Sequence, residues 1–186
     1  SFPLLGAVAS AFRIVDSCDI VLRMNVPVAA VSPQLGEIYI NPRCRLNLEE
    51  WKFVLAHEFL HAALRHDLRC EDRIPELWNV ACDYVVNSWL CEMKVGCIPE
   101  AALFDSRFQG MSAEAVYDQL CENIRQYLKE DPGDLLYGDG SEAAERNGSK
   151  LDSVYRSALQ QGLVYHTQQN RGYLPAGLIE EIHALS

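Results

Sequence analysis

The sequence has little positive charge and no long hydrophobic run. Lys and Arg together number 16 against 26 Asp and Glu, which gives a formal net charge of −10. Contacts with nucleic acid or with an anionic membrane need a basic surface, so the composition argues against both as main partners. No apolar run approaches the length of a membrane-spanning helix, and the first residues lack the basic segment of a signal peptide. We therefore expect a soluble, cytoplasmic protein.

The seven cysteines form an odd count and include no Cys-x-x-Cys pair. This pattern argues against a disulfide framework and against a cysteine-zinc knuckle, and it fits free thiols in a reducing compartment. With 186 residues and 49% hydrophobic content, the chain is long enough for one domain with a substantial core. Acidic residues concentrate with Gly and Pro in residues 131–150, where we expect a flexible acidic loop.

The first forty residues combine a helical pattern with a hairpin pattern. The stretch from Leu4 to Met24 has the amphipathic character of one helix. Two β-rich runs, residues 26–31 and 37–40, then flank a Ser-Pro-Gln-Leu-Gly turn, which predicts a β-hairpin. The second of these strands is expected to offer a free edge to which an extended substrate can add.

Three capping signals predict the helices that follow. Asn47 with Glu50 three positions later is typical of a capping box, so a helix should begin near Leu48. Pro75 suits the first position of another helix, and Ser112 suits the N-cap of a third. Two further short helices are expected at residues 152–161 and 176–185. The pattern as a whole predicts an α+β fold, mainly helical, with a small β-hairpin or sheet.

The run His57-Glu58-Phe59-Leu60-His61 forms a His-Glu-x-x-His motif inside the helix that begins near Leu48. Its spacing places both imidazoles on one face, one turn apart, where they can bind a single zinc ion. Glu58 then lies beside the metal and can accept a proton from a zinc-bound water. Because such a short motif also arises by chance, the surrounding residues have to decide its meaning.

A catalytic zinc ion usually has three protein ligands and a water, and two residues are candidates for the third ligand. His66 follows His61 closely, but on a continuous helix it would lie on the face opposite His57. Residues 62–65 contain no helix breaker that would redirect it. Asp83, on the following helix, is therefore the favoured third ligand.

Asn87 lies one turn after Asp83 on the same predicted helix face. Its side chain can hydrogen-bond the outer nitrogen of a ligand histidine and so fix the tautomer of that ring. A simpler alternative is that Asp83 only pairs with an arginine such as Arg69 or Arg73.

These residues resemble the putative metallopeptidase domain family. The similarity covers about residues 35–183 and is most specific in residues 55–61, in His66 and Arg69, and in residues 78–87. It implies a zincin-like fold, with residues 1–186 as a single zincin-like metallopeptidase domain. Such predicted peptidases are often linked to a von Willebrand factor A-like domain and encoded near MoxR-type ATPases in bacteria, so both are implied partners. The spacing of Asp83 and Asn87 is also similar to the Glu-x-x-x-Asp helix of gluzincins, with Asp in place of Glu.

The sequence thus predicts a zinc-dependent metallopeptidase that hydrolyses peptide bonds of a protein or peptide substrate. Zn²⁺ is expected to be bound by His57, His61 and Asp83, with Glu58 as general base and then acid. The oxyanion needs a further donor, and the candidates are His66, Tyr84, His166 and Tyr173. One alternative is a non-catalytic zinc-binding interaction module of a multi-component bacterial system. Another is a metal-free helical domain with a chance motif.

Overall fold

A computed structural model describes residues 3–122 and 174–185. Within these residues the chain forms helices and one small sheet. The acidic loop predicted at residues 131–150, the helix predicted at 152–161, and the candidates His166 and Tyr173 lie outside the described residues. In chain order the elements are α1 Pro3–Ala9, β1 Arg13–Val15, α2 Cys18–Arg23, β2 Ala29–Ser32, β3 Glu37–Ile40, α3 Leu48–Ala63, α4 Pro75–Glu92, α5 Ala113–Cys121 and α6 Ala176–Ala184.

The prediction of one continuous helix from Leu4 to Met24 was wrong. The chain instead forms two short helices, α1 and α2, with strand β1 between them. Residues 13–15 pair in parallel with residues 37–39, a partner more than twenty positions away in the sequence. Local periodicity does not reveal such pairing, because a three-residue strand is shorter than the window in which helix and strand periods differ.

The predicted hairpin is confirmed. Strands β2 and β3 pair antiparallel, with Ala29 opposite Ile40 and Ser32 opposite Glu37. The turn between them contains Gly36 at φ +64, a conformation that favours glycine. The strand order is β1-β3-β2, so β3 is paired on both sides. The expectation that residues 37–40 offer a free edge to a substrate was therefore wrong.

The sheet is covered by helices on both faces. Alternate residues point to opposite sides, as strand geometry requires. Val31 and Ile38 pack with Ala62 of α3, while Ala30 and Tyr39 pack with Val21 of α2. The sheet thus packs against helix α3, which carries the His-Glu-x-x-His motif.

The capping predictions are confirmed. The side chain of Asn47 accepts hydrogen bonds from the backbone of Glu49 and Glu50, and the Glu50 carboxylate accepts one from the Asn47 backbone. Pro75 begins α4, and the Ser112 hydroxyl accepts from the backbone of the third residue of α5.

All seven cysteines are free thiols, as expected. Among the described residues, no helix has both the length and the apolar character needed to cross a membrane.

Helix α4 runs through the centre of the main core. Every residue from Leu77 to Leu90 is buried, so the helix contacts other elements on all sides. Its apolar side chains share one core with those of α1, α3, α5 and α6. Asp83 and Asn87 are thus polar groups inside this core, and each needs a specific partner there.

The chain after α4 is fixed against the first turn of α3. Gly96 has φ +60, and a Cβ atom at this position would meet the carbonyl oxygen of Glu49 at 2.2 Å. The next residue, Cys97, donates a backbone hydrogen bond to the same carbonyl at 3.1 Å. This close approach joins the end of α4 to the start of α3, the two helices that carry the candidate metal ligands.

Candidate metal centre

Helix α3 ends two residues after His61, contrary to the expectation of a continuous helix through residues 62–65. Arg65 adopts a left-handed conformation, with φ +50. The backbone N–H of Arg65 donates to the carbonyl of Ala62, and that of His66 donates to the carbonyl of His61. This pair of bonds is the Schellman pattern that ends many helices, usually with glycine at the left-handed position.

The ion pair between Arg65 and Asp67 stabilises this unusual helix end. A left-handed residue with a side chain costs roughly 1–2 kcal/mol. The buried guanidinium of Arg65 donates from Nε and Nη2 to the two carboxylate oxygens of Asp67, at 3.0 and 3.1 Å. A two-point contact of this kind holds the backbone in place. As a result, the chain turns back and His66 lies beside His61.

Three buried side chains from two helices converge at one point. Asp83 Oδ1 of α4 lies 2.9 Å from Nε2 of His61 and 3.4 Å from Nε2 of His57, both on α3. The side chains of His57, His61 and Asp83 are 9%, 0% and 5% exposed. Their ligand atoms all lie within 4.8 Å of one another, and they are the one such metal-type group within residues 3–122 and 174–185.

The donor atoms of this group fit a metal ion. Within the described residues, His61 Nε2 and Asp83 Oδ1 are buried and make no hydrogen bond, although they are close together. A buried polar atom without a hydrogen bond is costly unless another partner satisfies it. Ligands about 2.0–2.2 Å from a tetrahedral zinc ion lie about 3.3 Å apart. The Asp83 oxygen lies at 2.9 and 3.4 Å from the two histidine nitrogens, close to that separation. Two imidazoles and a carboxylate are also a donor set that zinc commonly takes.

Asn87 contacts the outer nitrogen of His57. The Asn87 Oδ1 atom lies 2.7 Å from His57 Nδ1, and its Nδ2 donates to the carbonyl oxygen of Leu103 at 2.8 Å. Because a carbonyl only accepts, Leu103 fixes the orientation of the amide and makes Oδ1 the acceptor for His57. His57 therefore donates from Nδ1, and Nε2 is the ring nitrogen that faces Asp83.

His66 contacts the outer nitrogen of His61. The two Nδ1 atoms are 3.1 Å apart, and the ring of His66 is fully buried. On its other side, His66 Nε2 lies 3.8 Å from Oε2 of Glu181 on α6. Burial lowers the pKa of His66 to about 4, despite the opposing effect of Glu181, so the ring is neutral at pH 7. The structure thus places His66 behind His61 and away from solvent.

Arg69 does not pair with Asp83. The alternative that Asp83 only forms an ion pair with Arg69 was therefore wrong. The Arg69 guanidinium instead contacts Glu181 at 2.8 Å and Glu114 at 2.7 Å. Arg73 lies over the rings of Trp78 and Tyr117 and is 3.7 Å from Glu71.

The two remaining candidates occupy different surroundings. Glu58 is buried on α3, next to His57 in the sequence and between the two candidate ligand histidines. Tyr84 is also buried, and its ring packs edge-to-face on Phe108 with the centroids 4.9 Å apart. The Tyr84 ring is therefore part of the main core.

Sequence reasoning missed Glu181 and Glu114 as neighbours of this site. Glu181 reaches Arg69 across 112 positions, and Glu114 does so across 45. Their positions on α6 and α5 show no spacing relative to the motif that would reveal the contact. Arg69 is one of the residues that carry the family resemblance. The resemblance does not reveal that Arg69 forms ion pairs with both Glu114 and Glu181.

The chain belongs to the family described as "putative metallopeptidase domain". The family profile matches residues 2–168, which is most of the chain, and the resemblance predicted from the sequence is confirmed. No curated protein and no solved structure is similar enough to match it. The chain is thus a member of a metallopeptidase-domain family and has a His-His-Asp group that could bind a metal ion.

Proposed function

We propose that this chain is a zinc-dependent metallopeptidase that hydrolyses peptide bonds of a protein or peptide substrate. The observation that carries the proposal is the convergence of His57, His61 and Asp83, from two helices, on one point inside the protein. Membership in a family of metallopeptidase type supports a hydrolytic use of that site. The small sheet packed on α3 supports a zincin-like arrangement of the single domain.

His57, His61 and Asp83 would hold the zinc ion, each through an atom that now faces the other two. When bound, zinc supplies Lewis acidity that polarises a carbonyl group and lowers the pKa of a water molecule. With three protein ligands, a bound zinc ion would still be able to take up water or substrate, as catalytic zinc sites require. Asn87 holds the His57 ring by accepting from its Nδ1.

Glu58 is the proposed general base and then acid. It accepts a proton from the water that attacks the scissile carbonyl carbon, and a carbon–oxygen bond forms. It then delivers that proton to the leaving nitrogen as the carbon–nitrogen bond breaks, so the carboxylate is regenerated. Burial of Glu58 beside His57 keeps the carboxylate out of bulk water, where it would be solvated and less able to act on a bound substrate.

Cleavage of a dye-labelled unfolded protein by the zinc-loaded chain tests this proposal. Glu58→Gln keeps the size of the side chain but removes its basic oxygen, so we expect cleavage to fall by about 10²-fold or more. Zinc content should stay at the wild-type level in this variant. Glu49→Gln, an exposed position on the same helix, is the matched control and should cleave normally. Undiminished cleavage by Glu58→Gln would contradict the assigned role.

One observation favours a second candidate function, a non-catalytic zinc-binding interaction module of a multi-component bacterial system. All three candidate ligands are buried, as in structural zinc sites that exclude water. A von Willebrand factor A-like domain or a MoxR-type ATPase would then be the partner. A structural site makes folding depend on metal, so chelation should unfold the chain under this alternative. Under the peptidase proposal, chelation abolishes cleavage but leaves the circular dichroism spectrum unchanged.

A further inference from the structure

A row of contacts runs from the candidate ligand His61 through His66 to the C-terminal helix α6. Nε2 of His61 faces Asp83 at 2.9 Å, and Nδ1 of the same ring faces Nδ1 of His66 at 3.1 Å. Nε2 of His66 in turn faces the carboxylate of Glu181 at 3.8 Å. Neither ring has any exposed surface, so these protein groups decide where each ring proton lies.

The proton positions follow from the order of these contacts. A histidine that binds metal through Nε2 carries its proton on Nδ1. His61 must then donate from Nδ1, and His66 must accept at its own Nδ1. Because its Nδ1 accepts, His66 has its ring proton on Nε2, the nitrogen that faces the carboxylate of Glu181. The 3.8 Å separation is longer than a hydrogen bond, so Glu181 acts through its electric field.

Several contacts fix His66 and Glu181 in these positions. The indole Nε1 of Trp78 donates to the His66 carbonyl at 2.7 Å, and the His66 N–H donates to the His61 carbonyl. Arg69 holds the Glu181 carboxylate at 2.8 Å from one side and binds Glu114 of α5 from the other. The orientation of His66 therefore depends on α4, α5 and α6 as well as on the end of α3.

We infer that His66 is a positioning residue that fixes the tautomer and direction of His61, and that Glu181 orients His66 in this task. The inference rests on the proposed metal site and extends it to a residue on α6. His57 has a matching arrangement, with Asn87 at its outer nitrogen. Each candidate ligand histidine thus has an acceptor behind it, and residues far apart in the sequence supply the two acceptors.

Zinc affinity, measured by competition with a chelating indicator, tests the role of His66. Asn and Leu have similar shapes, but only Asn places an acceptor oxygen where His66 has Nδ1. We expect His66→Leu to weaken zinc binding by about 10–100-fold, the usual cost of losing a partner behind a ligand. His66→Asn should retain most of the wild-type affinity. Full affinity in His66→Leu, or equal losses in both variants, would overturn the inference.

A second pair of variants separates positioning from simple stability. Glu181→Gln and Glu114→Gln each remove one ion pair with Arg69, but only Glu181 faces His66. We expect only Glu181→Gln to weaken zinc binding, even if both lower the thermal stability of the metal-free chain. Equal effects on affinity would overturn the inference, and this pair decides if His66→Leu does not fold. A wild-type chain that binds no zinc would instead refute the proposed function, and this inference with it.

Discussion

The side-chain oxygen of Asn87 lies 2.7 Å from Nδ1 of His57, across 30 positions of sequence. The same amide donates to the Leu103 carbonyl, so its orientation is set by the backbone that follows α4. His57 is thereby directed towards Asp83 before any metal is bound. A ring held in advance loses less rotational freedom on binding, which favours affinity.

Asn87→Leu tests this relationship. The substitution leaves the His57 N–H without its acceptor, so we expect zinc affinity to fall by about 10–100-fold. Ser88→Ala, at the next buried position of α4, is the matched control and should bind zinc as the wild type does. Indicator competition measures both. Equal affinity in Asn87→Leu and Ser88→Ala would show that the contact does not support a metal ligand.

Asp83→Asn tests the third ligand through stability. Zinc at 100 times its Kd should raise the free energy of unfolding of the wild type by about 2.7 kcal/mol, because only the native state binds it. The variant keeps the shape of Asp83 but loses its charge. The same zinc concentration should therefore leave the free energy of unfolding of the variant unchanged. Asp105→Asn, outside the group, should respond as the wild type does. Undiminished zinc stabilisation of Asp83→Asn would remove Asp83 from the ligand set.

Gly96→Ala tests the junction between α4 and α3. The new Cβ would meet two backbone atoms of α3, the Glu49 carbonyl oxygen at 2.2 Å and the Phe53 nitrogen at 3.0 Å, so the backbone itself would have to shift. We expect a loss of about 3 kcal/mol in the free energy of unfolding, measured in urea. Gly110 also has a positive φ, but a Cβ atom added there would have no neighbour within 4 Å, so Gly110→Ala should cost only about 1 kcal/mol. Similar losses at both positions would mean that the close approach is unimportant.

The Glu181 carboxylate should make stability depend on pH. Burial alone would raise its pKa, but contacts with His66 and Arg69 outweigh burial and lower the pKa below 4.5. Between the native pKa of Glu181 and 4.5, the unfolded chain therefore holds more protons than the native chain. The stabilisation is complete above about pH 4.5 and is lost as the pH falls through the native pKa.

Urea unfolding of the metal-free chain at about pH 6 and about pH 3.5 measures this loss. Wild type should lose more stability on acidification than Glu181→Gln, while Glu180→Gln, an exposed neighbour on α6, should behave as the wild type. An equal loss in wild type and Glu181→Gln would contradict the lowered pKa.

Local chemistry made much of the fold predictable. The capping box of Asn47 and Glu50 and the proline that begins α4 act within a few residues, and both helices begin where these signals place them. Helix geometry alone brings the imidazoles of His57 and His61 together, because the two residues are four positions apart on one helix. Asp83 could be predicted as the third member of the candidate group because its helix follows the motif and is otherwise apolar around it.

Other features depend on contacts that no short pattern contains. Strand β1 exists because β3 is available to pair with it, and that pairing also removes the edge of β3 that a substrate was expected to use. Helix α3 ends at a left-handed arginine, where glycine would have been the recognisable signal. The ion pair that holds Arg65 was needed to redirect His66, so His66 was expected on the wrong side of the helix.

The zinc content of the gently purified wild-type chain is the most direct test of the proposed zinc site. If His57, His61 and Asp83 form a zinc site, inductively coupled plasma mass spectrometry should find about one zinc ion per chain, and almost none in His61→Ala. A wild-type chain that is folded yet contains no zinc, and takes up none when zinc is supplied, would contradict the account.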